Sequence, residues 1–238
     1  MNALIMAAGA GVRFGKLTKS KPKPLLKISG QPLITWVIKG LKKAGIDQIF
    51  ITVGYKGGLI KKEIGYSYEG IKISYIDNPQ WKKGNLMSLM AAESYIKDDF
   101  ILCMSDHLFD PTIVEELIEH ETNKTVLLGV DKKYQQKMDD TKAFVNGNGL
   151  IKQLGKNIIG NYVDTGFFKC KPSIFKYAKK AANSNQFELA DCMNIAAASN
   201  DVEAYDIKHK FWIDVDSMEE LKNYYVINFK KYFENGKW

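Results

Sequence analysis

Residues 7–26 read AAGAGVRFGKLTKSKPKPLL and continue from the first apolar run of the chain, ALIMA (residues 3–7). They include three glycines, one arginine, four lysines and two prolines, and no acidic residue. A short apolar run that ends at glycines is typical of a buried strand. Because α/β folds bind phosphates in the glycine-rich loop after such a strand, this stretch predicts an anion site at the edge of an α/β sheet.

The rest of the first half alternates between strand and helix patterns. Apolar runs predict strands at residues 48–53, 71–76 and 99–104, and apolar positions at helical spacing predict helices at residues 33–44, 57–65, 85–96 and 112–120. This alternation favours a mostly parallel sheet with helices on both faces, which is a three-layer α/β architecture.

The second half is richer in hairpins. Strand patterns cover residues 125–130, 143–154 (a hairpin around Asn-Gly-Asn-Gly), 162–170 and 202–206, helices are predicted at 173–181 and 187–198, and a strand-to-helix passage starts at residue 211. No linker or repeat divides the chain, so we expect one domain, residues 1–238. In open α/β folds ligands bind at the carboxyl ends of the strands, and we expect the hairpin-rich part to cover that edge.

The net charge of +7 and the sequence pI of about 9.0 favour an anionic partner, either a phosphorylated small molecule, nucleic acid or an acidic membrane surface. The lysines concentrate on one glycine loop, and no helix-turn-helix, RRM or zinc module is recognisable, so we expect no nucleic acid. No apolar run approaches the roughly 20 residues of a membrane span, and the N-terminus lacks the basic region of a secretory signal.

The three cysteines, Cys103, Cys170 and Cys192, are odd in number and lie far apart, without a C-x-x-C spacing. This pattern indicates reduced thiols rather than a disulfide framework or a zinc site. We therefore expect a cytoplasmic protein.

The glycine loop fits neither of two common phosphate-binding motifs. Residues 9–14 lack the third glycine of the dinucleotide-binding fingerprint, and the frame that ends at Gly15-Lys16 lacks both the first glycine and the final Ser or Thr of a P-loop. The chemistry of the loop is still clear. Gly9 and Gly11 let backbone N–H groups approach an anion, Arg13 can fork onto phosphate oxygens, and Lys23 is held on a backbone stiffened by a proline on each side.

Carboxylates follow two of the predicted strands. Asp106, in MSDHLFD, is either a ligand for Mg²⁺ or an ordinary turn aspartate. Asp214 and Asp216, in FWIDVDSMEEL, alternate and would face one side of a strand, but Ser217 and Glu220 form a capping-box pattern, so one of the two aspartates could instead assist the start of a helix.

The pair AAGAGVRF and KPKPLL, with this separation and after the first strand, resembles the signature of the sugar-nucleotide and phospho-alcohol nucleotidyltransferases. Such enzymes join a nucleoside triphosphate to a phosphorylated substrate and release pyrophosphate. The resemblance implies their Rossmann-like fold, with about residues 1–122 as the nucleotide-binding half and about residues 123–238 as the acceptor-binding half. It also implies Mg²⁺ on Asp106 and on Asp214 or Asp216, with Arg13, Lys23 and Asp106 as the catalytic residues.

Five further segments, KKGNLMSL, SDH, VDTGFF, SIF and WIDVDS, look most like the CTP:inositol-1-phosphate cytidylyltransferases. The resemblance places CTP on Ala7, Ala8, Gly9, Gly11, Arg13, Lys23, Gly84, Asn85, Ser88 and Asp106. It places the phosphorylated acceptor on Lys156, Asp164, Thr165 and Glu188, although a core position is an alternative for Thr165. Phosphocholine, another phospho-alcohol or phosphonate, and a sugar-1-phosphate stay open as acceptors.

The sequence departs from that family in two ways. Ser105 stands where its members usually have Gly, and many members carry a C-terminal membrane domain that condenses the CDP-alcohol, for which a separate enzyme would then be needed. The last segment, MEELKNYYVINFKKYF, predicts a helix that packs in the core, forms a homodimer face or serves as a peripheral docking site.

Overall fold

The computed structural model describes residues 1–132 and 139–217. Within these ranges the strands are β1 (Asn2–Ala7), β2 (Lys27–Ile28), β3 (Gln31–Pro32), β4 (Gln48–Val53), β5 (Ser67–Tyr68), β6 (Ile71–Asp77), β7 (Phe100–Met104), β8 (His107–Phe109), β9 (Val126–Asp131), β10 (Lys142–Val145), β11 (Ile151–Gly155), β12 (Tyr162–Cys170), β13 (Val202–Asp206) and β14 (Trp212–Asp214). The helices are α1 (Lys16–Ser20), α2 (Leu33–Lys43), α3 (Gly57–Ile64), α4 (Leu86–Met90), α5 (Thr112–Glu119), α6 (Ile174–Asn183) and α7 (Leu189–Ala198).

One sheet runs through both halves of the described chain, in the order β11-β10-β12-β7-β1-β4-β6-β5, with β9 paired to β12 and β13 paired to β9. The strands β7, β1, β4 and β6 are parallel to one another, whereas β12 lies antiparallel to β7. The predicted mixed, mostly parallel sheet is confirmed. The carboxyl ends of β1 and β7 meet at one edge, so the glycine loop and Asp106 emerge side by side.

Alternate residues of the central strand pack into two different cores. Leu4 of β1 lies in a cluster with apolar residues of α4, α6 and α7, while Ile5 lies in a cluster with apolar residues of α2, α3 and α5. Both residues are fully buried. Helices on both faces of the sheet follow from this alternation, because neighbouring side chains of a strand point to opposite faces.

The structure differs from the predictions in three places. Helix α4 ends at Met90, and residues 91–95 form turns rather than the predicted continuation of the helix. Strands β2 and β3 form a small hairpin in the segment after Lys23, and β8 pairs with β14 in a separate two-stranded sheet. The predicted final helix and Glu220 of the predicted capping box lie outside the described residues. In the part of the chain that the structure covers, no helix has both the length and the apolar character to span a bilayer.

Candidate active site

A short antiparallel ladder brings the carboxylates together. His107 of β8 lies opposite Asp214 of β14, and the pairing continues where the Val215 N–H donates to the Asp106 carbonyl oxygen at 3.0 Å. Asp106 follows β7, and Asp216 follows β14. The ladder therefore joins two acidic segments that are more than 100 residues apart in the sequence.

Lys23 lies between the two carboxylates. Its Nζ is 2.5 Å from Asp106 Oδ2 and 2.7 Å from Asp216 Oδ1. Only 8% of the residue is exposed. Burial lowers the pKa of Lys23, but the two carboxylates outweigh it and the net direction is upward. The ammonium is therefore held in its charged form.

The backbone of the glycine loop fits closely around the stem of Lys23. Pro22 is extended, and residues 23–25 form a single 3₁₀ turn after it. Gly11 has φ +61°, and a Cβ at this position would lie 2.7 Å from the Cβ of Lys23. Gly9 differs, because a Cβ there would meet nothing within 4 Å. Gly11 is thus needed to seat Lys23, whereas the space above Gly9 is open to a ligand.

Arg13 extends the same network towards solvent. Its Nη1 is 2.7 Å from Asp216 Oδ2 and 3.6 Å from Asp139 Oδ2. The side chain is 51% exposed, so it lies at the mouth of the site, where a guanidinium can exchange a carboxylate for a phosphate.

Asp106 makes a second close contact, with the histidine that follows it. Asp106 Oδ1 is 2.8 Å from His107 Nδ1. Burial would raise the pKa of Asp106, but Lys23 and the His107 hydrogen bond hold it well below its usual range. For His107, burial acts in the opposite direction and lowers the pKa. The contact with Asp106 outweighs this effect, so the net direction for the pKa of His107 is upward. The pKa of Asp216 is also lowered, because Lys23 outweighs the effect of burial.

A cleft of about 660 Å³ opens beside this cluster. Residues from both halves of the chain line it, and those that matter below are Arg13, Asn85, Asp106, His107, Asp139, Lys156, Asp164, Glu188, Trp212, Asp214 and Asp216. The predicted acceptor residues Lys156, Asp164 and Glu188 therefore share one cleft with three of the predicted nucleotide residues, Arg13, Asn85 and Asp106. The volume suits a small phosphorylated ligand beside part of a nucleotide.

Two predicted site residues turn their side chains into the protein instead. Thr165 is fully buried, and its hydroxyl donates to the Gly129 carbonyl oxygen at 2.7 Å. Its side chain does not line the cleft, which corrects the expectation of an acceptor contact. Ser88 is also buried, and its hydroxyl accepts a hydrogen bond from the Asn78 side chain at 3.2 Å. This buried position corrects the expectation that the Ser88 hydroxyl contacts the nucleotide.

Gly84 and Asn85 connect the two halves. A Cβ on Gly84 would lie 2.2 Å from the Phe187 carbonyl oxygen, so a side chain has no room there. Asn85 Oδ1 accepts from the Leu189 N–H at 2.6 Å, at the first residue of α7. Both residues thus dock the loop before α4 onto the segment that carries Glu188. Ala7 ends β1, Ala8 follows it directly, and both residues are buried.

His107, Trp212 and Asp131 contact the site but are not among the site residues that the sequence predicted. The rings of Trp212 and His107 stack with centroids 6.1 Å apart and an interplanar angle of 12°. Trp212 Nε1 donates to Asp131 Oδ2 at 3.0 Å. His107 and Trp212 lie in the segments SDH and WIDVDS, which carry part of the family resemblance, whereas no local pattern connects Asp131 at the end of β9 with β14.

The donor set around Lys23 suits a hard divalent cation. Asp106 and Asp216 each place a carboxylate oxygen within 2.7 Å of the same ammonium nitrogen, so both oxygens converge on one positive charge. Mg²⁺ is usually bound through one or two carboxylates together with substrate phosphates. The described residues hold no cluster of three or more potential metal-ligating side chains.

Comparison with known proteins assigns the chain to a family. The profile of the Nucleotidyl transferase family matches residues 2–226. The chain belongs to this family. The resemblance found in the sequence is thereby confirmed, and with it the assignment as a nucleotidyltransferase enzyme. Members generally use a divalent metal, and the substrates that fit the family are a nucleoside triphosphate and a phosphorylated sugar or alcohol.

Three similar proteins are informative. The Bifunctional IPC transferase and DIPP synthase of Aquifex aeolicus is 33% identical over 225 residues, which are 92% of this chain and 50% of that protein. The chain thus spans about half the length of this relative. The 2-aminoethylphosphonate cytidylyltransferase of Lancefieldella rimae is 26% identical over 92% of this chain and 90% of that protein. The inositol-1-phosphate CTP transferase from T. maritima superposes with a TM-score of 0.86 at 24% identity, over 99% of this chain and 96% of that one, which establishes the fold.

Proposed function

We propose that the chain is a cytidylyltransferase that transfers CMP from CTP to a phosphorylated alcohol, with inositol-1-phosphate as the first candidate. Mg²⁺ is the proposed metal, and the cytoplasm is the proposed compartment. The observation that carries the proposal is the buried Lys23, held between Asp106 and Asp216 at the edge of the cleft. The Aquifex aeolicus relative and the T. maritima structure support the choice of CTP and acceptor. Three free, buried cysteines support a reducing compartment.

The nucleotide half is suited to holding a triphosphate. The open space above Gly9 lets backbone N–H groups approach the phosphates, and Arg13 at the mouth can fork onto their oxygens. Lys23, fixed by the turn after Pro22, would neutralise charge at the α-phosphate. These groups hold the leaving pyrophosphate and the reacting phosphorus in one geometry, which is the main requirement of phosphoryl-type transfer.

The proposed reaction is an in-line displacement. An oxygen of the acceptor phosphate forms a bond to the α-phosphorus of CTP, the bond from that phosphorus to the α–β bridging oxygen breaks, and pyrophosphate leaves with the bonding electrons. The nucleophile is already an anion near neutral pH, so no side chain has to remove a proton. When bound by Asp106 and Asp216, Mg²⁺ supplies positive charge at the α-phosphate. Lys156 would hold the acceptor phosphate in line.

The acceptor half offers hydrogen-bond acceptors. Asp164 Oδ1 accepts from the Gly166 N–H at 2.7 Å, and burial raises the pKa of Asp164 to about 6. Glu188 is the N-cap residue of α7 and lies exposed on the cleft. Carboxylates that face the cleft beside Lys156 can accept hydrogen bonds from the hydroxyls of a polyol phosphate.

A second candidate acceptor is an aminoalkyl phosphonate. The same carboxylates, together with Asp139, could pair with an ammonium group, while Lys156 holds the phosphonate. The Lancefieldella rimae relative, whose length the chain nearly matches, favours this alternative. In either case the product is a CDP-linked compound that a separate enzyme can consume.

The test is to incubate the protein with Mg²⁺, one of the four NTPs and one acceptor, with detection of pyrophosphate and identification of the product by mass. The acceptors are inositol-1-phosphate, 2-aminoethylphosphonate, phosphocholine and glucose-1-phosphate. We expect turnover with CTP and the highest kcat/KM with inositol-1-phosphate. A preference for another NTP contradicts the cytidylyltransferase assignment, and a preference for 2-aminoethylphosphonate establishes the second candidate in place of the first.

A further inference from the structure

Each oxygen of the Asp106 carboxylate has its own cationic or N–H partner. Oδ2 is 2.5 Å from Lys23 Nζ, and Oδ1 is 2.8 Å from His107 Nδ1. A carboxylate held at both oxygens cannot rotate about its last bond without losing one of the two contacts. The contact with His107 therefore fixes which oxygen faces Lys23 and the centre of the site.

The imidazole of His107 is itself held from three sides. It stacks on Trp212, and it meets the edge of Phe167 with centroids 5.7 Å apart at 88°. Gly166 closes the third side, because a Cβ there would lie 2.6 Å from His107 Nε2. Trp212 is anchored in turn by its hydrogen bond to Asp131 at 3.0 Å. His107 is 8% exposed, so its ring is packed almost as tightly as a core residue.

Burying an imidazole costs free energy unless its polar atoms are used. The polar partner that the structure gives to His107 is Asp106. If His107 served only to pack the site, an apolar ring would do as well. If it served only to bind the acceptor, its Nδ1 would face the cleft. The geometry instead directs Nδ1 onto the carboxylate.

We propose that His107 is a positioning residue, which donates from Nδ1 to Asp106 and fixes the orientation of that carboxylate towards Lys23 and the metal. The inference rests on the proposed function, in which Asp106 is a metal ligand. Partners that hydrogen-bond to a ligating carboxylate generally change metal affinity or activity by about 10- to 100-fold when they are removed.

Two substitutions separate donation from packing. His107→Asn keeps an N–H donor near the place of Nδ1, whereas His107→Leu has a similar volume and no donor. His120→Leu is the matched control, since His120 also pairs with a carboxylate, Glu203, at 3.1 Å, but lies at the opposite end of the sheet. Circular dichroism and the melting temperature establish that each variant is folded.

The first readout is binding of Mn²⁺ to the protein, measured from the electron paramagnetic resonance signal of free Mn²⁺. The second is the separation of kcat from the KM of the acceptor. We expect His107→Leu to weaken Mn²⁺ binding and lower kcat by about 10-fold or more, with the acceptor KM within about twofold of wild type. His107→Asn should recover most of both losses, and His120→Leu should match wild type.

The following results would overturn the proposal. Unchanged Mn²⁺ binding and kcat in folded His107→Leu would leave packing as the role of the ring. Equal losses in His107→Asn and His107→Leu would show that donation is not what matters, and an effect on the acceptor KM alone would make His107 a substrate contact. A wild-type protein that does not bind Mn²⁺ would also count against the proposal.

The wild-type protein provides a further test that needs no variant. Long-range ¹H–¹⁵N spectra of the three histidines report the protonation of each ring nitrogen, and we expect the Nδ1 of His107 to carry a proton. An unprotonated Nδ1 overturns the proposal. If the wild type releases no pyrophosphate with any NTP while His107→Leu still loses Mn²⁺, the proposed function fails and the positioning role stands. If wild type and His107→Leu both turn over and bind Mn²⁺ with equal affinity, the proposed function stands and the positioning role fails.

Discussion

The two sides of the cleft are built differently. On the nucleotide side, the contacts of Lys23, Asp106 and Asp216 connect distant parts of the chain, and Lys23 is buried between the carboxylates. On the acceptor side, Lys156 and Glu188 are exposed, and Asp164 bonds to a backbone group two residues away. A charged side chain whose position is fixed by distant elements is suited to the chemical step, which is the same for every acceptor. Exposed charged side chains, in contrast, can change position to suit different ligands. The nucleotide side should therefore determine the reaction rate, and the acceptor side should determine the choice of substrate.

The largest effect is expected from Lys23→Met. The substitution removes the Lys23 ammonium, which contacts both carboxylates, and should lower kcat by about 10³-fold, because preorganised charge at the reacting phosphorus is lost. Steady-state pyrophosphate release measures it. Lys21→Met is the control, since Lys21 is exposed two residues earlier in the same loop, and its activity should equal that of wild type. Activity of Lys23→Met within tenfold of wild type would contradict the proposal that the nucleotide side determines the reaction rate.

Asp216→Asn and Asp214→Asn are expected to differ. Asp216 contacts both Lys23 and Arg13, whereas Asp214 lies opposite His107 on the ladder. We expect a loss in kcat of about 10²-fold for Asp216→Asn and a smaller loss for Asp214→Asn, with a higher Mg²⁺ requirement only in the former. Titration of the rate with Mg²⁺ distinguishes them. The reverse order would assign the second metal ligand to Asp214.

On the acceptor side, Lys156→Met should raise the acceptor KM by about tenfold and leave the KM of CTP unchanged. Lys156 is exposed on the cleft and should bind the acceptor phosphate in the ground state as well as in the transition state. Initial rates with each substrate varied in turn provide the measurement, and Lys152→Met, on the neighbouring stretch of β11, is the control. A fall in kcat as large as that of Lys23→Met would abolish the proposed distinction between the two sides.

The sequence predicted the parts of the site that a local pattern encodes. The glycine loop and Lys23 were found because they follow an apolar strand, and Asp106 was found because it ends another. What could not be predicted depends on long-range geometry. The pairing of β8 with β14 joins segments with no shared pattern, and the contact of Gly11 with Lys23 depends on how the loop closes.

Thr165 shows a second limit of sequence patterns. Strand β12 changes register against β9 between Asp164 and Phe168, and Gly166 within that interval has φ +77°. A bulge of this kind breaks the alternation of side chains that a strand pattern assumes. The side chain predicted to face the acceptor therefore faces the core, while Gly166 makes room for His107.

Substitutions of the two loop glycines, Gly9 and Gly11, form a matched pair with smaller expected effects. Gly11→Ala should destabilise the protein by about 1–3 kcal/mol, because φ is +61° and the new Cβ meets Lys23. Gly9→Ala should leave the melting temperature unchanged and raise the KM of CTP, since its Cβ would enter open space beside the phosphates. Thermal unfolding and CTP kinetics measure the two effects. Equal stabilities of the two variants would contradict the proposed role of Gly11.

The smallest effect concerns the pH dependence of stability at Asp164. Burial raises its pKa to about 6 from an ordinary value of 3.8, so the folded protein binds this proton more tightly than the unfolded chain. The resulting contribution to stability is complete below about pH 4 and is lost as the pH rises through about 6.

Asp164→Asn cannot ionise and keeps an oxygen that accepts from the Gly166 N–H. Its free energy of unfolding relative to wild type should therefore increase between pH 4 and pH 7, by at most about 3 kcal/mol. Urea unfolding at several pH values measures this, with Asp98→Asn, at an exposed aspartate outside the cleft, as the control. A difference for Asp164→Asn that does not change with pH would mean that the carboxylate is as well solvated as those on the surface, and the acceptor side would then present a permanent negative charge to its ligand.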